Sequence, residues 1–317
     1  MVKTNMLARL MTGAALSVVA GMAAADQPLF EFGLEFGHTW RDGDAVNSSV
    51  NFDGELAEIP EYFSGALSFT GTNHFDSGLI LQGGLRYERS FADEFGEDLD
   101  PGDPDPEADD TYKQGALATL QLGRVIGDTY WGGYGTVGQV SFIEPDDDQD
   151  ATFGVLGAQM EYRADNWSVG GSLGYLTSDA EDEEGADEAL ILSGNGTYYF
   201  NNGASRLSGR LSYLDGWIDN DSPADERDEL RMLEASIILE NQLNWSSDRD
   251  WSAFVGLHWL SYEEKDEIGD LDKASDTYIS AGIRVSLGGK GLRGRDRYQA
   301  PALPDYLRIV QAGPVVD

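Results

Sequence analysis

From Leu29 onward, apolar and polar residues alternate with a period of two, interrupted by clusters of Gly, Asp, Asn and Pro. This pattern predicts strands with one apolar face and one polar face. Twelve segments carry it: Leu29–Trp40, Tyr62–Thr70, Leu79–Ser90, Lys113–Gly123, Tyr130–Ile143, Thr152–Arg163, Trp167–Thr177, Leu190–Phe200, Arg206–Leu214, Arg231–Trp245, Trp251–Tyr262 and Thr277–Gly288. A strand of about ten residues, tilted, is long enough to cross the hydrocarbon of a bilayer.

The connections alternate in kind. Those after odd segments are long or strongly acidic: Arg41–Glu61, Phe91–Tyr112, Glu144–Ala151, Ser178–Ala189, Asp215–Leu230 and Glu263–Asp276. Those after even segments are short, as at Ala164–Asn166 and Asn201–Ser205. A soluble sandwich has no reason to gather its long loops at one end, whereas a membrane barrel does. Parity then assigns the faces. Phe30, Phe32, Leu34 and Phe36 point one way, and Glu31, Gly33 and Glu35 the other. Ile279, Ala281, Ile283, Val285 and Leu287 oppose Ser280, Gly282, Arg284 and Ser286.

Aromatic residues gather at the strand ends. Tyr130, Trp131, Tyr162, Trp167, Phe200, Trp245 and Trp251 flank the short turns. Trp40, Tyr62, Phe91, Tyr112, Phe142, Tyr175, Trp217, Trp259, Tyr262 and Tyr278 mark the other rim. Two such belts suit headgroup level, where amphipathic rings are favoured. The apolar face is therefore expected outside, against lipid, and the polar face inside.

The N-terminus adds an export signal over residues 1–25. Lys3 and Arg9 precede the apolar run Leu10–Met22, and Ala23-Ala24-Ala25 provides a cleavage site before Asp26. The 317 residues contain no cysteine, which excludes a disulfide framework and thiol chemistry. The net charge of −36 argues against nucleic acid as a partner. Most of the 57 acidic residues fall in the six long connections, and Phe91–Tyr112 alone holds ten with no base.

The segment Ser280-Ala281-Gly282-Ile283-Arg284-Val285-Ser286-Leu287 resembles the signal by which outer-membrane barrels engage the barrel-assembly machinery. It departs from that pattern in two ways: Val285 stands at the aromatic position, and about thirty residues follow instead of a terminal Phe. The chain thus resembles Gram-negative outer-membrane β-barrels of the porin-like kind over roughly Leu29–Gly288. The resemblance implies an all-β fold, a closed antiparallel transmembrane β-barrel of about twelve strands, with ten or fourteen as alternatives. Residues 26–289 would form it. The basic, Pro-containing tail 290–317 would lie in the periplasm, disordered or loosely docked, with a plug or a cell-wall contact as alternatives. The implied partners are outer-membrane lipid, lipopolysaccharide and the assembly machinery.

The expected function is passive diffusion of small polar or cationic solutes, with Glu31, Glu35, Arg86, Glu88, Arg163, Arg206, Arg210, Glu234, Glu240 and Arg284 lining the pore. Asp98, Asp100, Asp103, Asp105, Asp109 and Asp110 would draw cations to its mouth. The loops could also bind divalent cations shared with lipopolysaccharide phosphates, but they do not match a twelve-residue calcium pattern, and no resident metal or cofactor is expected. A non-conducting structural or adhesive barrel is the alternative. Lipid hydrolysis is a third reading. Only His38 and His258 are placed to serve it, and neither has a marked nucleophile beside it.

Overall fold

A computed structural model describes residues 28–43, 61–92, 111–143, 148–179, 186–219, 227–245, 249–265, 271–288 and 290–311. The expected export signal and Asp98, Asp100, Asp103, Asp105, Asp109 and Asp110 lie outside them.

Among the described residues, twelve strands form: β1 Leu29–Gly43, β2 Tyr62–His74, β3 Leu79–Ala92, β4 Thr111–Ile126, β5 Thr129–Ile143, β6 Asp148–Arg163, β7 Trp167–Ser178, β8 Glu188–Phe200, β9 Ser205–Asp219, β10 Arg227–Leu243, β11 Asp250–Lys265 and β12 Leu271–Leu287. Each pairs antiparallel with its sequence neighbour, and β12 returns to β1 to close the barrel. The closing ladder runs from Phe30 opposite Leu287 to Gly43 opposite Ala274. All twelve expected segments are therefore strands. Several run further than the apolar alternation indicates. β12 begins at Leu271 because the ladder continues through polar pairs such as Glu263 opposite Lys273, whose side chains also form an ion pair.

The outward face is apolar. Leu156 is 74% exposed, Phe36 59% and Leu192 58%, on three separate strands. Soluble monomers rarely carry contiguous apolar surface on this scale. Inward residues, such as Ser280 and Ser286 on β12 and Glu240 on β10, are almost fully buried. The aromatic belt at the short turns is present, with Tyr162 packed on Trp167 and Trp245 on Trp251 at centroid separations of 5.4 and 5.8 Å. Three expected belt members are buried instead: Tyr130, Tyr262 and Tyr278. Strand parity explains Tyr278. Its neighbour Ile279 faces out, so Tyr278 must face in.

Glycines make room for inward rings: Gly37 for Tyr278, Gly123 and Gly132 for Tyr130, and Gly157 and Gly174 for Tyr134. A Cβ at Gly157 would run into the Tyr134 ring and the Leu173 carbonyl, and one at Gly174 into the Tyr134 hydroxyl. Tyr134 thus lies flat over two neighbouring strands and stiffens the curved wall. Replacing Gly157 with Val should cost about 1–3 kcal/mol through overpacking. A lowered urea midpoint for the detergent-folded barrel checks this. Gly194→Ala is the matched control, because Gly194 has open space around it.

Candidate functional site: the lumen and the segment that threads it

The chain does not leave the barrel after β12. Gly288 turns with φ of +135°, and Gly291, with φ of +61°, begins helix α1 (Gly291–Tyr298). An extended stretch, Gln299–Asp305, follows, and then the short helix α2 (Tyr306–Gln311). Pro301 and Pro304 keep the middle stretch from continuing α1, since each lacks an N–H and biases the preceding residue toward extended backbone. The described part of the tail therefore lies inside the barrel. Of the placements open to the tail, these residues take the plug and not the disordered or loosely docked one. The physical reason is charge: a basic segment meets an interior that offers it carboxylates.

The segment crosses the lumen from end to end. At the short-turn end, Gly291 N donates to Asp250 Oδ2 at 2.7 Å, and Arg297 donates to the carbonyls of Ala164 and Asp165. At the long-connection end, Lys113 Nζ donates to the Gln311 carbonyl at 2.7 Å. Between them, strand side chains satisfy the extended backbone. Arg163 donates to the Arg297 and Gln299 carbonyls at 2.7 and 2.8 Å, and Gln121 to the Pro301 carbonyl at 3.2 Å. The Ala300 N–H donates to Gln82 Oε1 at 3.0 Å.

Two ionic clusters hold the segment. The first centres on Glu240, which has no exposed surface. Arg206 and Arg284 each reach it at 2.6 Å and Arg295 at 3.0 Å. Arg295 also pairs with Glu31 at 2.9 Å. Asp296 pairs with Arg206 and accepts a hydrogen bond from the Tyr199 hydroxyl at 2.8 Å. The second cluster joins Arg308 to Glu88 at 3.1 Å and to Asp305 at 3.3 Å, with Arg86 bridging Glu88, Glu35 and Asp305. The Arg308 guanidinium also lies over the Tyr278 ring at 3.3 Å.

The expected interior was polar throughout, and the structure corrects this. Near the long connections, Val140, Phe153, Ile191, Leu214, Ile218, Met232 and Leu260 turn inward. They form a socket in which Tyr306, Leu307, Ile309 and Val310 of α2 are buried. Below this stopper a cavity of about 380 Å³ remains beside the extended stretch. Its walls are largely hydroxyls and amides, including Ser168, Asn195, Thr197, Ser208 and Ser236.

All ten inward charged residues read from strand parity face this interior. Their partners Arg295, Asp296, Asp305 and Arg308 were not anticipated. The signal for them was the one basic stretch in a strongly acidic chain. The histidines do not assemble hydrolytic machinery. His38 contacts Glu61 at 3.0 Å on the outer face, packed against Trp40 and Phe63. His74 ends β2 and packs on Tyr298. His258 lies 3.2 Å from Ser280 Oγ, but that serine is 1% exposed.

No protein-family model matches the sequence, and no curated protein matches it. Among solved structures, the fold is similar to an outer membrane channel from Pseudomonas putida F1, at 13% identity and a TM-score of 0.52, over 83% of this chain and 96% of that one. A FadL homologue from Pseudomonas aeruginosa overlaps less well, with 9% identity, coverage of 84% and 91%, and a TM-score of 0.44. CymD, a monoaromatic hydrocarbon channel, has 9% identity, coverage of 87% and 92%, and a TM-score of 0.42. At such identities the shared property is architecture: the chain has the closed-barrel fold of outer-membrane channels.

Removing the charge of Glu240 leaves three guanidiniums facing one another in the lumen. Breaking a buried ion pair from one side typically costs about 3–5 kcal/mol. Glu240→Gln should lower the urea midpoint accordingly and expose the tail to protease. Arg231→Ala, which breaks only exposed pairs with Glu229 and Asp215, should change stability by less than about 1 kcal/mol.

Proposed function

We propose that this protein is an outer-membrane channel for small polar or cationic solutes, closed at rest by its own C-terminal segment. The observation that carries the reading is the division of labour inside the barrel. Strand side chains leave a wide lumen lined by charges and hydroxyls, and a separate piece of chain occupies it. A purely structural barrel could be filled from its own strands. Here the filling is attached to the wall by ion pairs and hydrogen bonds along α1 and the extended stretch, and by an apolar socket at α2.

The apolar exterior and the two-ended loop asymmetry support placement in an outer membrane, with short turns toward the periplasm. The acids of the long connections, Asp98, Asp100, Asp103, Asp105, Asp109 and Asp110 among them, would concentrate cations at the far mouth. Strand-borne inward charges nearly balance, so cation preference would come from these connections. Among the described residues, the serine within reach of His258 is Ser280, which is buried, and this favours transport over catalysis. The second reading, a non-conducting barrel, draws on the apolar stopper formed by α2.

Planar-bilayer recording separates the two. The intact chain should be nearly silent. Deletion of residues 290–317 should give discrete steps with cation preference, reduced when the acids of 91–112 are neutralised. Leu307→Asp, which disrupts the stopper without truncation, should give intermittent openings. If both variants retain heat-modifiable folding but stay silent, the non-conducting reading replaces this one.

A further inference from the structure

The inward charges are not all used in holding the tail. Of the ten read from the sequence, eight sit in ion pairs: Glu31, Glu35, Arg86, Glu88, Arg163, Arg206, Glu240 and Arg284. Arg210 and Glu234 are the two that form no ion pair among the described residues. Arg210 Nε is buried with no hydrogen-bond partner. Glu234 is 6% exposed and accepts one side-chain hydrogen bond, from Ser212 Oγ at 2.9 Å. Both face the 380 Å³ cavity.

Their placement follows from strand register. Arg210 on β9 lies opposite Ser236 on β10, and Glu234 lies opposite Ser212. The two charges are therefore diagonal neighbours on one face, with backbones about 7–8 Å apart. Asn195 on β8 stands opposite Arg210, on its other side. The site thus offers a guanidinium and a carboxylate with unused bonding capacity, an amide and hydroxyls around them, and an apolar wall from Pro301, Leu303 and Pro304.

We propose that Arg210 and Glu234 form a binding site for a small zwitterion of the amino-acid class. A carboxylate would take the planar guanidinium in paired hydrogen bonds. An ammonium group a few bonds away would reach Glu234. A lone anion would leave the Glu234 carboxylate with no ligand charge to meet it, and a lone cation would leave the Arg210 guanidinium so. Each is rejected for the polar group it leaves unmatched. A neutral polyol satisfies neither charge. The volume falls within the range of about 300–1,000 Å³ usual for ligand cavities.

This inference rests on the lumen being a solute path, and its test is separate from conduction. The full-length chain, folded in detergent, is titrated calorimetrically with L-alanine, propionate, ethylammonium and glycerol. Alanine should bind at least about tenfold more tightly than the other three, a difference of one decade in Kd. Arg210→Gln and Glu234→Gln should each remove at least that decade, with the heat-modifiable folded band retained. Ser208→Leu fills the cavity without touching either charge and should abolish binding. It decides the matter if the charge variants do not fold. No alanine binding by the native chain, or binding unchanged in Ser208→Leu, overturns the site whatever the bilayer recordings give. Alanine binding by the native chain, with silent bilayers for both the 290–317 deletion and Leu307→Asp, would leave the site standing and remove the channel.

Discussion

Closure of β1 on β12 is the constraint from which the rest of the structure follows. It removes the free sheet edge and with it the unpaired backbone groups that hydrocarbon cannot solvate. It also creates a problem. Eight strands close around a space that side chains can fill, and sixteen or more leave an aqueous channel. Twelve fall between. Large inward residues in one half of the barrel and small ones in the other divide the space, and the chain's own end occupies what is left.

The two halves of the lumen use different physics. Near the short turns, Glu240 gathers three arginines from β9, β12 and α1, so the charges of wall and segment satisfy one another. Such networks add little net stability, because desolvation offsets attraction, but removing one member is costly. Near the long connections, α2 is held by burial of Leu307 and Val310, which expose no surface. Charge sets where the segment goes, and burial makes it stay.

The histidines show how an arrangement that invites a catalytic reading can be structural. His258 and Ser280 are within hydrogen-bond distance across neighbouring strands. Ser280 is buried, and Arg308 lies over the neighbouring Tyr278 ring. The pair is built into the wall that supports the tail.

Alternation along the chain was sufficient for the twelve strands, for which face each residue takes, and for the ten charged positions inside. These follow from a local rule: successive side chains on a strand point to opposite sides. The same rule, applied strictly, would have placed Tyr278 inside. Three things needed the folded molecule. The basic tail could have gone to solvent, to the cell wall or into the lumen. What decided was the summed field of Glu31, Glu88 and Glu240, three residues far apart in sequence that closure brings around one space. The apolar socket of Phe153, Ile191 and Leu260 reads in sequence only as irregular apolar residues near strand ends. Its meaning appears once α2 is seated in it. That Arg210 and Glu234 are left over could be known only after every other charge had found its partner, because pairing is a property of three-dimensional neighbours and not of spacing along the chain.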